Sequence, residues 1–369
     1  MAPTLALHFG EAVLFLPVLI VCHDAAGEAN DERGAMDPKD YHPKDAKPHF
    51  DRAAFVEGVE MMGGHFPYAG ILTFFRQPHT RDLTGVDVAF LGLPWDGTPM
   101  NRSGQRMGPR ALRETTVYVM EEEDFTLFRR LTCVDYGDLF FHAGNMFDFL
   151  DQAEQAVAGI LTAGARVISF GGDHMIPLPI VRAYAKYLGR PLSLIHFDGH
   201  LDNWDTFPYS WGGSWVKELA NEGCLDLAHS VQLGIRMVEG AAPEADIYAP
   251  RSDAVVISGD QCLEEGPLVA AERVREVVGD APVYLTFDAD FLDASVAPAC
   301  HTPCVCGPDM WWTKRFFRAI RGLNVVGADV NELCPQYEPP LGPTQLALGH
   351  VAHWELELME HAPWRAADR

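Results

Sequence analysis

The sequence predicts an α/β protein built on a mostly parallel sheet with helices on both faces. Three observations carry that reading. Past about residue 85, short apolar runs of strand length recur, with segments of helical length between them. The runs are continuously apolar, as strands buried on both faces are. Polar side chains of metal-binding type gather directly after several of them, where open α/β sheets hold ligands.

Asp87–Leu93 (DVAFLGL) opens the series and Pro94 ends it. Phe147–Ala163 sets Leu150, Ala153, Val157 and Leu161 at helical spacing, and Gly164 supplies a stop. Arg166–Phe170 (RVISF) reads as a strand closed by Gly171 and Gly172. Leu192–Phe197, Ser230–Ile235, Ala254–Ser258, Val283–Phe287 and Asn324–Gly327 follow as strands. No repeat, low-complexity tract or linker interrupts this region, so one domain over 85–369 is the simplest account.

Residues 1–35 differ in character. Ala12–Cys22 is a single apolar run, too short to span a bilayer. No Lys or Arg precedes it, since the first is Arg33, so the basic start of a secretory signal is missing. A poor signal peptide, a packed or disordered extension, and upstream sequence from a start placed too early are the three readings. The third is preferred, because Met36 opens a polar stretch that reads like an amino terminus. Peptides from before Met36 in natively expressed protein would overturn it. The expected organisation is an atypical extension over 1–35, an arm over 36–84 and the main domain over 85–369.

With 28 Lys and Arg against 52 Asp and Glu, the net charge is −24. Such a surface repels nucleic acid and anionic membrane and attracts cations, although for most of the carboxylates an aid to solubility is the preferred reading. Eight cysteines in 369 residues are too few for a disulfide scaffold, which favours a reducing cytoplasm. Cys300, Cys304 and Cys306 cluster, but their spacing is not a standard zinc pattern. They read first as loop thiols, with a soft metal site or redox sensitivity secondary.

Three strand ends carry metal-type residues. They are Gly171-Gly172-Asp173-His174, Asp198-Gly199-His200-Leu201-Asp202 and Asp288-Ala289-Asp290. Paired glycines bring a side chain close to the strand end. Strand alternation predicts that Asp198, His200 and Asp202 project together while the chain stays extended, as do Asp288 and Asp290. With His174 these make six oxygen and nitrogen donors without sulfur, a set suited to Mn²⁺ and also to Ni²⁺, Fe²⁺ or Co²⁺. Four converging carboxylates repel unless cations join them, and two divalent ions resolve the repulsion. Such a pair, ~3.5–4 Å apart, generates hydroxide from water at neutral pH. Each motif alone is weak, but all three in order at strand ends are specific.

These residues resemble the ureohydrolases: agmatinase, arginase, guanidinobutyrase and relatives. The resemblance runs from about 85 to 355 through GGDH (171–174), DGHLD (198–202), TFDADFLDASVAPACHTP (286–303) and GADVNE (327–332). Upstream, GLPWDGTPMNRSGQRMGPRALRE (92–114) matches the family's turn at Gly104, Arg106, Gly108 and Pro109. The resemblance implies a three-layer α/β/α fold and a binuclear Mn²⁺ centre, with Ni²⁺ as an alternative, in a homo-trimer or homo-hexamer. His174, Asp198, Asp202 and Asp288 would hold one metal; His200, Asp198, Asp288 and Asp290 would hold the other. A metal-bridging hydroxide would attack a guanidino carbon and release urea, or a urea analogue, and an amine. Glu332 matches the carboxylate that pairs with the guanidinium, where planar N–H donors meet carboxylate oxygens.

Two departures bear on the substrate. Gly199 stands where the family has alanine. The family's His-Gly-Thr, whose histidine passes a proton to the leaving amine, falls on Gly212-Gly213-Ser214 between Trp211 and Trp215. His301, a short loop from Asp290, is a candidate for that proton transfer, weighed against a loop histidine without a role. Candidate catalytic residues are therefore Glu332, His301 and Asp202. Candidate substrate contacts are Glu332, Trp211, Trp215 and Ser214, the tryptophans through cation–π contact or equally as packing. The partner is a small cationic guanidino compound. Guanidine, alkylguanidines and biguanides, as in the superfamily's nickel-dependent guanidine and metformin hydrolases, stand beside agmatine. Formimidoylglutamate hydrolysis and a helper subunit in a hetero-oligomer are the remaining readings.

Overall fold

The computed structural model describes residues 70–122, 127–204, 209–237, 252–340 and 342–364. The expected extension over 1–35 and the arm as far as residue 69 lie outside them.

Among the described residues, eight strands form one sheet. They are β1 (Val88–Leu93), β2 (Cys133–Asp138), β3 (Arg166–Gly171), β4 (Ser193–Phe197), β5 (Val231–Ile235), β6 (Val255–Ser258), β7 (Val283–Asp288) and β8 (Val325–Asn331). Their order is β2-β1-β3-β8-β7-β4-β5-β6. Every pairing is parallel, so the expected mostly parallel sheet is parallel throughout.

Side-chain alternation divides the core into two faces. Val88 and Phe90 of β1 and Leu285 and Phe287 of β7 point to one face. There they pack against α1 (Gly108–Glu122), α7 (Pro267–Val278), α8 (Met310–Ala319) and α9 (Pro343–His361). Ala89, Leu91 and Tyr284 point to the other, against α3 (Met146–Thr162), α4 (Pro177–Leu188) and α5 (Trp215–Asn221). The short α2 (Leu127–Arg130) and α6 (Gly259–Glu265) complete the helices named here. This is the expected three-layer α/β/α arrangement.

Two elements differ from expectation. β2 was not foreseen, because Asp135, Tyr136 and Gly137 interrupt its apolar run. It is an edge strand, and Arg113 neutralises its buried Asp135 through Nε to Oδ2 at 2.7 Å. β8 continues past Gly327 to Asn331 with polar Asp329 inside it. Asp329 is tolerated there because Tyr284, Thr286 and Asn331 all donate hydrogen bonds to it.

Candidate active site

β3, β8, β7 and β4 are consecutive in the sheet, so their carboxyl ends meet at its centre. The loop after β3 carries His174. The loops after β8, β7 and β4 carry Glu332, Asp290 and the Asp198–Asp202 segment. Gly172 lets the β3 exit cross the end of β1. A Cβ there would overlap the carbonyl oxygens of Leu93 and Trp95.

His174 is held by its far nitrogen. Nε2 lies 3.0 Å from the Thr286 hydroxyl, which donates its own proton to Asp329 Oδ1 at 2.9 Å. The hydroxyl must therefore accept from the ring, and that places the hydrogen on Nε2. Nδ1 then faces Asp198 Oδ2 at 2.8 Å and Asp202 Oδ2 and Asp288 Oδ2 at 3.1 Å each. It forms no hydrogen bond with any of them. Donors around one octahedral ion, with bonds of ~2.1 Å, sit about 3 Å apart. Burial disfavours a charged His174, but the carboxylates outweigh it and raise its pKa well above the usual histidine range. Proton and metal ion thus compete for Nδ1.

His200 repeats the pattern. Its Nδ1 is 3.2 Å from both Asp198 Oδ1 and Asp290 Oδ2. Burial opposes its charge, while Asp290 and Asp198 raise its pKa. Among the described residues, three groups could hold a metal ion: His174, His196, Asp198 and Asp202; Asp198, Asp288 and Asp290; and His200, Asp290 and Cys304. Asp198 and Asp290 are each shared between groups, so the donor set fits a pair of cations. Burial, then the neighbouring charges of Asp290 and Asp198, push the Asp288 carboxyl well up, which is the repulsion that cations would relieve.

The ligands converge by turning, which corrects the expectation of an extended chain. Asp202 has φ +51°, and Asp290 sits in the 3-10 turn Ala289–Phe291. Asp198 Oδ1 accepts the His200 N–H at 2.6 Å, and Asp288 Oδ1 accepts the Asp290 N–H at 2.8 Å. Each first aspartate closes its own turn, and this outweighs strand alternation.

Glu332 also stands at a positive φ, +64°. Oε1 accepts the His174 backbone N–H at 2.7 Å and Oε2 accepts Gln105 Nε2 at 2.8 Å. Burial, then Asp288 and Asp173, raise its pKa well above the usual range. Gln105 escaped the sequence reading although it lies within the Gly104–Pro109 turn. His196 escaped it as well, two residues before Asp198. It donates from Nε2 to Asp198 Oδ2 at 2.9 Å and accepts from Gln232 at 2.8 Å.

A cavity of about 450 Å³ opens above these residues. Asp202, Asp288 and Glu332 form its acidic side, and Trp204, Trp211 and Met100 contribute apolar wall. No Lys or Arg lines it among the described residues. Trp211 and Gly212 are on the wall, as the loop alignment implied. Trp215 and Ser214 are not, which corrects their reading as substrate contacts. Both are fully buried. Trp215 opens α5 and donates from Nε1 to Asp202 Oδ2 at 2.8 Å, while the Ser214 hydroxyl donates to Glu218 at 2.7 Å. Trp204, two residues after Asp202, takes the wall position instead.

His301 lines the cavity with Nδ1 3.7 Å from Glu332 Oε2. Its Nε2 accepts the backbone N–H groups of Met100 at 3.1 Å and Asn101 at 3.0 Å. The hydrogen therefore sits on Nδ1, and burial pushes the imidazolium below the usual histidine range. Gly212 faces the same space. A Cβ there would lie an ordinary 4.0 Å from His174 Cβ and 3.7 Å from Thr98 Oγ1.

Comparison with known proteins agrees with this geometry. The Arginase family model matches residues 86–355. An agmatinase from Chromobacterium violaceum is 37% identical over 300 residues, covering 80% of this chain and 90% of that protein. The crystal structure of a hypothetical agmatinase from Burkholderia thailandensis superposes with a TM-score of 0.76 at 36% identity, over 84% of this chain and 98% of that one. Proclavaminate amidino hydrolase from Streptomyces clavuligerus gives a TM-score of 0.73 at 30% identity, over 80% and 99%. With the family's pattern matched through every strand that feeds the acidic cavity, the chain belongs to the arginase family.

Proposed function

We propose that this chain hydrolyses a guanidino compound to urea, or a urea analogue, and an amine. It is a hydrolase acting on a C–N bond of a linear amidine. One observation carries the narrower reading. His174 Nδ1 faces three carboxylates beside Glu332, in a cavity that no lysine or arginine lines among the described residues.

His174, Asp198, Asp202 and Asp288 would hold one divalent ion, and His200, Asp198, Asp288 and Asp290 the second. The bound ions supply Lewis acidity and make water nucleophilic at neutral pH. Mn²⁺ is the expected ion and Ni²⁺ the alternative, since all these donors are oxygen or nitrogen. Glu332, locked by His174 N–H and Gln105, receives the guanidinium N–H donors and so orients the guanidino group in the cavity. Asp202, oriented by Trp215, holds the proton that the attacking water gives up. Trp211 and Trp204 cover the cation and exclude water. His301 points a hydrogen-bond donor into the cavity. It moves a proton only if the Met100–Asn101 loop releases Nε2.

Gly212 favours a second reading of the substrate. Without a side chain there, the wall leaves space beside His174 that alkylated guanidines or biguanides fill. We propose a catalytic domain over 85–369 that works as a homo-trimer or homo-hexamer in the cytoplasm. No helix among the described residues is long and apolar enough to cross a membrane. The test is urea release by Mn²⁺- or Ni²⁺-reconstituted protein across guanidine, agmatine, guanidinobutyrate and biguanides. Turnover of one member is expected. Two ions bound and no urea from any member would redirect the reading to formamide release or a helper subunit.

A further inference from the structure

We propose that Cys304 supplies a sulfur ligand to the His200 and Asp290 side of the metal centre. This rests on the binuclear reading above and goes beyond its six-residue ligand set. Donor atoms of His200, Asp290 and Cys304 all lie within 4.8 Å of one another, and Cys304 is 4% exposed. The sulfur also accounts for the glycine inside the ligand loop. A Cβ at position 199 would meet Cys304 Sγ at 3.0 Å and Asp290 Oδ1 at 3.1 Å. An alanine there would press on the thiol and the carboxylate together, so Gly199 leaves the room that the Cys304 sulfur occupies.

The thiol is held in place from both sides. Arg236 Nη2 donates to the carbonyl of Asp290 at 2.6 Å and to that of Cys304 at 3.2 Å, so one guanidinium ties the two ligand residues together. Arg236 Nε fixes the next carbonyl, Val305, at 2.9 Å. On the other side, the Thr302 hydroxyl donates to Asp290 Oδ2 at 2.9 Å and the Cys304 thiol donates to Thr302 O at 3.1 Å. When a cation binds, the S–H bond breaks and its proton leaves to solvent. The sulfur lone pair forms the S–metal bond, and no oxidation state changes. A thiolate in an otherwise hard site shifts preference from Mn²⁺ toward Co²⁺, Ni²⁺ or Cd²⁺.

The experiment loads the full chain with Co²⁺, counts the ions per chain and records the near-ultraviolet spectrum. A thiolate-to-cobalt charge-transfer band is expected with two ions bound. It should be absent in Cys304→Ser, weakened in Gly199→Ala and unchanged in Cys306→Ser, whose thiol is exposed. The Cd²⁺ over Mn²⁺ affinity ratio should fall about tenfold or more in Cys304→Ser. Two bound ions without the band in the unaltered protein would overturn the proposal alone. So would a band that survives Cys304→Ser. Fewer than two ions would overturn the binuclear reading and this proposal with it. A missing band in the unaltered protein overturns the proposal even if a variant fails to fold, and a band that is present is assigned to Cys304 by its loss in Cys304→Ser or Cys304→Ala.

Discussion

Gln105 Nε2 donates to Glu332 Oε2 at 2.8 Å, joining the loop after β1 to the residue that follows β8. Glu332 is buried, so losing one of its two donors frees the carboxylate to rotate away from a guanidinium. A hydrogen bond to a charged group is worth about 1.5–3 kcal/mol. Gln105→Ala should therefore lower kcat/KM roughly ten- to a hundredfold, with the bound metal count unchanged. Steady-state urea release together with metal analysis checks both halves.

Trp215 reaches Asp202 from inside the fold. Trp215→Phe keeps the ring's packing and removes the N–H. Partners of metal ligands typically matter about ten- to a hundredfold for metal affinity. We expect the half-saturating Mn²⁺ concentration to rise about tenfold, with little change in KM at saturating metal. A KM that rises while metal affinity holds would return Trp215 to the substrate wall.

His301→Ala should lower kcat much more than it raises KM, because it removes a cavity-facing donor and unfastens the Met100–Asn101 loop. With Nε2 accepting two N–H groups, the ring is neutral across the working range. The kcat–pH profile should then show no ascending limb that vanishes in the variant. Such a limb near the histidine range would make the ring a proton relay.

Gly212→His has room for its Cβ and starts from no positive φ. The variant should fold with an unchanged melting temperature. Its imidazole would occupy wall space beside His174, so KM for alkylated guanidines should rise relative to agmatine. Equal shifts for both would show that this wall does not select substrate.

Glu355 is fully buried in α9, and neither carboxyl oxygen has a hydrogen-bond partner among the described residues. Burial, then Asp329, raise its pKa well above the usual glutamate range. The folded chain keeps a proton that the unfolded chain loses above that usual range. Stability from this group is complete at low pH and falls as pH rises through neutrality. Glu355→Gln does not titrate, so its melting temperature relative to wild type should climb from pH 5 to pH 8. A constant difference in a thermal-shift series would refute this.

The residues proposed as metal ligands could be picked out because each set lies within a few residues of a strand end, and the apolar runs marked those ends. The partners that aim them were not. Gln105 is 227 residues from Glu332, and nothing local in its turn signals a carboxylate. Trp215 looked like a mouth residue because its neighbour Trp211 is one. The start of α5 turns one inward and leaves the other on the wall. β2 and the end of β8 were hidden by acidic residues whose burial depends on distant partners, Arg113 of α1 for Asp135 and Tyr284 and Thr286 of β7 for Asp329.

The Thr286–Asp329 contact joins residues that are paired in the β7–β8 register. Strand registration therefore decides which nitrogen of His174 carries the hydrogen. A slip of one residue would set Ala328 or Val330 opposite Thr286. The hydroxyl would lose its acceptor, and the ring could turn its protonated nitrogen toward the carboxylates. A misregistered sheet could still bury its apolar side chains, yet it would offer a proton where the site needs a lone pair. Correct pairing of two central strands is thus a condition for metal uptake as well as for stability.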